Sequence, residues 1–273
     1  MRCRMEEVVQ IMDDEADKTA RDGDLLQTLM RGLSVIACFD RLSPRMTPTE
    51  VARRTNLTRA AARRILLTLV HTGHATTDGK TFELTARVLE LGYAYLSSFG
   101  LPEIARSTME SVAREVGEAC SLGVLNQADI VYIGRVEPPR LSARPTAGIG
   151  LRLPAHAMAM GQVMLAALAD DELDALLSAW PPQALTEYTI TSRDALLARI
   201  DQVRQQGYSF QDQEFELGSR SIAVPVRDRR NRVIAALAVG ASIGRCSVED
   251  MVDRILPVLR RAAREIERPA GLL

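Results

Sequence analysis

Two short helical patterns follow one another in the stretch TPTEVARRTNLTRAAARRILLTL, which runs from Thr47 to Leu69. Thr47 or Thr49 can cap the first helix, because a threonine hydroxyl accepts a hydrogen bond from a free N–H of the first turn. Asn56 interrupts the pattern, and Thr58 is positioned to cap a second helix. Apolar residues of that helix recur at the spacing i, i+3, i+4 and i+7 of a core-facing stripe: Ala62, Ile65, Leu66 and Leu69. The stretch therefore predicts a helix-turn-helix.

The residues beside that apolar stripe are small or basic: Arg59, Ala60, Arg63 and Arg64. Small residues near the start of a helix let it enter the major groove, and arginine can bind a guanine edge with two hydrogen bonds or contact phosphates. Between Val51 and Lys80 there are five arginines and one lysine against a single acid, Asp78. The alternative interpretation is a solvated charged face on an ordinary core helix.

A hairpin pattern follows the second helix, in the segment TTDGKTFELT from Thr76 to Thr85. Asp78-Gly79 between two β-prone runs favours a tight turn with Lys80 at its tip, within reach of a phosphate or the minor groove. An incidental surface hairpin is the alternative, but a hairpin directly after a basic helix is typical of a winged helix-turn-helix. We therefore predict binding to double-stranded operator DNA through seven residues: Thr47, Thr58, Arg59, Ala60, Arg63, Arg64 and Lys80.

The chain has 273 residues, enough for two domains, and its charge is unevenly distributed. Residues 24–98 have ten basic and six acidic side chains, a net charge of +4, whereas residues 99–273 have twenty basic and twenty-two acidic side chains, a net charge of −2. The N-terminal third is thus the part suited to a phosphate backbone. This localised charge argues against a structural nucleoid protein, which would bind DNA without sequence preference or ligand response.

The cysteines and histidines predict no metal centre, and no cofactor motif is present. The four cysteines are isolated, with no C-x-x-C pair: Cys3, Cys38, Cys120 and Cys246. They fit free thiols in a reducing cytoplasm. His71 and His74 have no acidic or thiol ligand beside them. No apolar run reaches membrane-spanning length, so no membrane association is expected.

The pattern of elements divides the chain into four parts. Residues 1–23 form a charged, flexible arm, residues 24–85 the winged helix-turn-helix, residues 86–101 a linker helix, and residues 102–273 a second domain. Helical and strand patterns are mixed in the second domain, which predicts an α+β fold. We expect an amphipathic helix from Leu25 to Phe39 to pack under the helix-turn-helix and against a second subunit.

No catalytic set stands out in the second domain. Ser219 and Ser221 are not in a G-x-S-x-G motif, and there is no Walker loop or dinucleotide fingerprint. Asp212, Glu214 and Glu216 alternate, as on a solvated strand edge or loop. An enzyme with Asp212 or Glu214 as general base is the alternative. We therefore expect a binding domain and not an enzyme.

A helix predicted from Pro154 to Leu168 offers a place for a ligand. It opens with LPAHAMAMG, from Leu153 to Gly161, which combines a proline at the helix start with small side chains. An open helix N-terminus attracts an anion, and small side chains let a ligand approach the backbone. A tightly packed core helix is the equal alternative.

Six segments together resemble the IclR family of bacterial transcriptional regulators. They are RGLSVIACF at Arg31, the helix-turn-helix, LTARVLELGYAYL at Leu84, LPAHAMAMGQVMLA at Leu153, GYSFQDQEFELGSRSIAVPV at Gly207 and VIAALAV at Val233. The resemblance extends from about Leu26 to Glu267. It is closest to the branch that controls aromatic-acid catabolism through the β-ketoadipate pathway.

The resemblance implies a winged-helix N-terminal domain and a GAF-like C-terminal domain that binds a small carboxylate, such as 4-hydroxybenzoate, protocatechuate or β-ketoadipate. It also implies a homodimer through the DNA-binding domains or a homotetramer through the effector domains, and contact with RNA polymerase if the protein is an activator. The implied effector-binding residues are His156, Ala159, Met160, Gln211, Asp212, Ser221, Ala238 and Gly240.

Three of these positions depart from the glyoxylate-binding member of the family. Ser221 replaces a cysteine, and Ala238 and Gly240 replace serines. The loss of two hydroxyls, with Met160 nearby, favours an aromatic acid over a two-carbon acid, while a keto diacid stays an alternative.

Overall fold

The computed structural model describes residues 25–40, 42–92, 100–138 and 148–270. The predicted arm, residues 1–23, lies outside these described residues, as do residues 93–99 of the predicted linker helix. Residues 89–92 of that linker are helical. The chain divides into two compact units between Ser97 and Ser98, and each has its own hydrophobic core.

The N-terminal unit is a winged helix-turn-helix. Its elements in chain order are α1 (Gln27–Ala37), β1 (Arg45–Met46), α2 (Pro48–Arg54), α3 (Arg59–His71), β2 (Ala75–Thr77), β3 (Phe82–Leu84) and a 3-10 turn (Ala86–Val88). The strands form an antiparallel sheet in the order β1-β3-β2. Buried side chains from the helices and the sheet form one core: Val35, Met46, Val51, Ala62, Leu66 and Phe82.

Local signals set the bounds of α2 and α3. Thr47 forms a capping box with Glu50: the Glu50 N–H donates to the Thr47 hydroxyl over 3.3 Å, and the Glu50 carboxylate accepts from the Thr47 N–H over 2.7 Å. Asn56 adopts φ 52°, in the left-handed region that asparagine tolerates, and turns the chain between the helices. Thr58 then caps α3 by accepting from the Ala61 N–H over 3.2 Å.

The C-terminal unit is an α+β domain. Its strands are β4 (Ala119–Asn126), β5 (Asp129–Val136), β6 (Arg152–Pro154), β7 (Ser209–Asp212), β8 (Ser219–Arg227) and β9 (Val233–Ser242). They form a six-stranded antiparallel sheet in the order β6-β5-β4-β9-β8-β7. The helices are α4 (Leu101–Val116), α5 (Ala159–Leu165), α6 (Asp170–Ala179), α7 (Arg193–Gln206) and α8 (Leu256–Ala270). Helices α4 and α8 pack on one face of the sheet, and α5, with α7 behind it, packs on the other.

The predicted helix from Pro154 to Leu168 is wrong at both ends. Pro154 ends β6, where its register partner is Asp129, and Ala155–Ala157 is a single 3-10 turn. The α-helix begins only at Ala159, after an extended residue, and ends at Leu165. A Cβ on Gly161 would lie 2.1 Å from the carbonyl oxygen of Ala155, so this turn packs directly on the start of α5. The anion site expected at a Pro154 helix start is therefore not formed.

Candidate DNA-binding surface and effector site

The exposed side of α3 displays the small and basic residues of the predicted recognition helix. The apolar stripe, which includes Leu66 and Leu69, is buried in the core of the unit. Four predicted DNA-binding residues are exposed beside it: Arg59, Ala60, Arg63 and Arg64. Thr58 is exposed at the start of the same helix. The structure therefore brings these five residues together on one surface.

The cations of this surface are free of protein partners. Four exposed basic side chains form no hydrogen bond or ion pair with any residue that the structure describes: Arg59, Arg63, Arg64 and Lys80. Arg54, on α2, differs because it donates to the Cys38 carbonyl and to the Asp40 carboxylate, each over 2.9 Å. Exposed cations without a counter-charge are available to DNA phosphates, whereas Arg54 is engaged inside the unit.

Thr47 differs from the other predicted DNA contacts because its side chain is already bonded within the protein. It is half-buried, and its hydroxyl is 2.8 Å from the Glu50 carboxylate as well as accepting the cap bond. Its first role is therefore to begin α2.

The wing ends in a turn of residues 78–81 that Asp78 organises. The Asp78 carboxylate accepts from the N–H groups of Lys80 and Thr81 over 2.8 and 2.6 Å, and from the Thr81 hydroxyl over 2.8 Å. These bonds, first of all the one from the Thr81 N–H, lower the pKa of Asp78 to about 2. Gly79 adopts φ 90°, a conformation that glycine takes without strain. The turn holds Lys80 exposed at the tip.

Four of the eight predicted effector-binding residues lie on one face of the C-terminal sheet: Gln211, Ser221, Ala238 and Gly240. Ala159 and Met160 belong to α5, which packs against that face. Ser221 of β8 has Gln211 of β7 and Gly240 of β9 as its direct neighbours across the sheet. Ala238 packs in the same core cluster as α5. Gly240 is exposed, and no atom of the described residues lies within 4 Å of the point where its Cβ would be. Gly240 is therefore an uncovered position beside the buried side chains of Ser221 and Ala238.

A cation that the sequence interpretation missed lies on the same face. Arg135 of β5 is the register partner of Ser121 of β4, whose other partner is Ala238. Arg135 donates to the Ser121 hydroxyl over 3.2 Å and to one Glu137 oxygen over 3.0 and 2.9 Å. These bonds leave donor capacity on both terminal nitrogens of Arg135. The available signal was a single arginine near the end of the largely apolar strand DIVYIGRV.

We call the following six residues the Gly240 face: Ser121, Arg135, Gln211, Ser221, Ala238 and Gly240. Two predicted effector-binding residues do not reach it. Asp212 is the register partner of Arg220 and forms an ion pair with it over 3.1 Å, on the side of the sheet opposite Ser221. His156 lies in the 3-10 turn before α5, with Nε2 3.0 Å from the Gln183 carbonyl oxygen.

Glu214, the alternative general base, is buried and engaged on both oxygens. Its Oε1 accepts from Arg199 over 2.8 Å, and its Oε2 accepts from the Gln162 amide over 2.9 Å. Burial raises the pKa of Glu214, and the neighbouring Arg199 opposes that rise. A carboxylate held this way organises its surroundings rather than facing a substrate.

The described residues contain no group of three or more potential metal ligands. Cys38, Cys120 and Cys246 are buried free thiols. Burial raises the pKa of Cys38 to about 11 and that of Cys120 to about 12, which keeps both protonated. In the described part of the chain, no helix has the length and apolar character needed to cross a membrane.

A winged helix-turn-helix unit followed by a separate α+β domain is typical of one class of proteins, the ligand-responsive DNA-binding regulators. Comparison of the sequence with known protein families identifies the family of regulators to which the chain belongs. The IclR helix-turn-helix domain matches residues 28–79, and the C-terminal domain of the bacterial transcriptional regulator IclR matches residues 93–268. The chain belongs to the IclR family of transcriptional regulators.

The chain is similar to several regulators of known function. The chain is 39% identical to the Pca regulon regulatory protein of Pseudomonas putida, over 90% of this chain and 84% of that protein. It is 36% identical to the p-hydroxybenzoate hydroxylase transcriptional activator of Acinetobacter baylyi, over 90% of this chain and 92% of that protein. The crystal structure of an IclR homologue from Microbacterium hydrocarbonoxydans, complexed with 4-hydroxybenzoate, matches at TM-score 0.78 and 26% identity, over 90% of this chain and 100% of that chain.

These comparisons confirm the predicted family, the fold class and the general function. The protein is a DNA-binding, ligand-responsive transcriptional regulator, and its relatives are regulators rather than enzymes.

Proposed function

We propose that the effector of this regulator is an aromatic carboxylate such as 4-hydroxybenzoate or protocatechuate. Two relatives support the proposal: one is the transcriptional activator of p-hydroxybenzoate hydroxylase, and another was crystallised with 4-hydroxybenzoate. β-Ketoadipate, a keto diacid, is the second candidate because it offers a carboxylate at each end of a longer molecule.

The observation that carries the proposal is the spacing of polar groups on the Gly240 face. Arg135 marks one end through its bond to Ser121, and Ser221 marks the other, with the exposed Gly240 beside Ser221 on the intervening strand β9. Ser121 and Ser221 are separated by two strand spacings and by two residues along the strands, which is about 12 Å between Cα atoms. One aromatic ring with polar groups in para positions spans this gap, with a hydrogen bond of about 3 Å at each end. A two-carbon acid is too short.

Calorimetry on the full-length protein tests the proposed effector. The panel is 4-hydroxybenzoate, protocatechuate, β-ketoadipate and glyoxylate. We expect saturable heats with the two ring acids and none with glyoxylate. A protein that gives neither heat nor a thermal shift with any aromatic acid would remove this assignment.

We propose that α3 and the wing contact the operator through the seven predicted residues. Arg59 and Arg63 reach base edges of the major groove, while Ala60 lets α3 approach closely. Arg64 and Lys80 contact phosphates, and Thr47 and Thr58 do so from the starts of α2 and α3. The support is the set of exposed cations on this surface, which form no bond with a described residue.

A gel-shift assay with the native promoter tests these contacts. The double variant Arg59→Ala, Arg63→Ala removes two base-reading groups, each expected to contribute about 1–3 kcal/mol, so affinity falls at least tenfold. Arg54→Ala is the matched control, because it breaks the bonds to Cys38 and Asp40 and lowers thermal stability instead. Unchanged promoter binding by the double variant excludes the proposed base contacts.

We propose that the protein is a homodimer through α1. Leu26, Leu29 and Leu33 are 73, 59 and 52% exposed in the isolated chain, at a spacing that places them along one side of the helix. Pairing of effector domains would extend the dimer to a tetramer, and an activator would also contact RNA polymerase. Because the protein acts on bacterial operator DNA, we place it in the cytoplasm.

Sedimentation of wild type and of Leu29→Glu tests the α1 interface. We expect the variant to have half the assembled mass of wild type, because a buried glutamate is costly at an apolar interface. Leu42→Glu is the control, since Leu42 is 89% exposed and lies outside α1. Equal masses for wild type and Leu29→Glu would exclude this interface.

A further inference from the structure

A chain of hydrogen bonds connects the buried ion pair of Glu214 to the Gly240 face. Arg199 donates to Glu214 Oε1 over 2.8 Å, and the Glu214 backbone N–H donates to Gln211 Oε1 over 3.0 Å. Gln211 Nε2 then donates to the Ser221 hydroxyl oxygen over 3.1 Å. Glu214 and Gln211 are 4 and 2% exposed, so these bonds do not compete with bulk water.

The backbone N–H of Glu214 fixes the direction of the hydrogen bonds that follow it. A backbone N–H can only donate, so the Gln211 atom that faces Glu214 must be the carbonyl oxygen. The Gln211 NH₂ group must therefore face Ser221, and the Ser221 oxygen accepts from it. Gln211 does not use the Ser221 proton, which is therefore available to an acceptor on the effector.

Several groups hold Glu214 in place. Gln162, which is fully buried in α5, donates from Nε2 to Glu214 Oε2 over 2.9 Å. The Thr189 hydroxyl donates to the Glu214 carbonyl oxygen over 2.6 Å. The carboxylate, the carbonyl and the N–H of Glu214 are thus all bonded, which fixes the residue that orients Gln211.

We propose that Glu214 is a positioning residue for effector specificity: through Gln211 it makes Ser221 a hydrogen-bond donor, so that the favoured effector presents an acceptor there. This inference rests on the proposed aromatic effector, with its carboxylate at Arg135 and its para substituent at Ser221. A phenol oxygen accepts the Ser221 proton. An aromatic amine, whose lone pair is delocalised into the ring, is a poor acceptor.

Gln211→Glu tests the inference with little change in shape. A glutamate carboxylate still accepts from the Glu214 N–H, but it cannot donate to Ser221 and accepts the Ser221 proton instead. Ser221 then presents only acceptor capacity to the effector. Wild type should bind 4-hydroxybenzoate about tenfold more tightly than 4-aminobenzoate, the effect of about one hydrogen bond. In Gln211→Glu this preference should be lost, because a phenol and an aromatic amine can each donate to the Ser221 oxygen.

Gln213→Glu is the matched control. Gln213 is two residues away and also accepts a backbone N–H through Oε1, from Gly218 over 3.0 Å, but it makes no bond to Ser221. The same substitution there should leave the preference within about twofold of wild type. The control therefore separates the loss of the Gln211 donor from the added negative charge.

Glu214→Gln tests the position of Glu214 itself. The variant keeps the backbone N–H that orients Gln211 but removes the charge that pairs with Arg199, so the residue 214 backbone, and with it the Gln211 amide, is held less firmly. The preference for 4-hydroxybenzoate should fall from about tenfold to about twofold while the affinity for unsubstituted benzoate stays the same. A purely structural role would weaken all three ligands equally.

Each outcome of the calorimetry separates this inference from the proposed function. If wild type binds none of these acids, both are overturned. If wild type binds them but prefers 4-aminobenzoate, or if Gln211→Glu keeps the preference of wild type, the donor role of Ser221 is overturned while the aromatic effector stands. Loss of the preference in Gln211→Glu, with Gln213→Glu unchanged, supports the inference even if Glu214→Gln fails to fold.

Discussion

Arg135 and Ser121 face each other across β5 and β4, with Nη1 of the arginine 3.2 Å from the serine hydroxyl oxygen. Glu137 holds the same guanidinium over 2.9 Å, so the cation is in position before an effector arrives. A hydrogen bond to a charged group contributes about 1.5–3 kcal/mol. We therefore propose the remaining N–H groups of Arg135 as the main recognition element for an effector carboxylate.

Replacing Arg135 with glutamine should lower the affinity for 4-hydroxybenzoate by about tenfold to a hundredfold, because one charge-assisted contact is lost. Calorimetry measures the loss. Arg152→Gln is the matched control, since Arg152 pairs with Asp129 on the same sheet but away from the Gly240 face. Equal losses in the two variants would show that Arg135 has no special role.

Gly240→Val should abolish effector binding without destabilising the domain. Among the described residues, no atom lies within 4 Å of the new Cβ, but the valine fills the space that the proposed effector ring would occupy. Valine favours strands, and a glycine in a strand costs about 0.5–1 kcal/mol relative to alanine, so the melting temperature should hold or rise. Operator binding without effector should stay the same. A variant that still binds 4-hydroxybenzoate with wild-type affinity shows that the ligand lies elsewhere.

Features set by short-range contacts could be predicted from the sequence. Thr47 and Thr58 cap α2 and α3 as predicted, because each hydroxyl accepts from an N–H within one turn. The candidate effector positions came from family resemblance rather than from any such local signal.

Features that depend on contacts between distant segments could not be predicted this way. Pro154 and Ala155 are not part of the α-helix that was predicted to include them. The reasons are that β6 pairs with β5 and that Gly161 allows the Ala155 backbone to approach α5. Arg135 joins the Gly240 face only through the order of strands in the sheet. The direction of the Gln211 amide depends on a backbone N–H three residues away, which the turn after β7 presents.

The stability of the wing should depend on pH through Asp78. Its folded-state pKa of about 2 lies below the ordinary aspartate value of about 4, so the ionised form is favoured in the folded state. The stabilisation is therefore complete above about pH 5 and is lost as the pH falls toward 2. NMR titration of the Asp78 carboxyl carbon measures the pKa directly. Asp78→Asn should unfold at a lower temperature than wild type at pH 7, and the difference should shrink toward pH 2. An Asp78 pKa near 4 contradicts the turn geometry.

Lys80→Ala should weaken DNA binding equally for the operator and for a scrambled duplex. The Lys80 ammonium lies exposed at the tip of the wing, and phosphate contacts carry no sequence information. Loss of one phosphate contact should reduce the slope of log affinity against log salt concentration by about 0.9, because one fewer counterion is released. Titrations over a salt series with both duplexes measure this slope. Lys80→Arg keeps the charge and should keep the slope. If Lys80→Ala lowers affinity for the operator alone, the wing reads bases, and the division of roles between α3 and the wing is wrong.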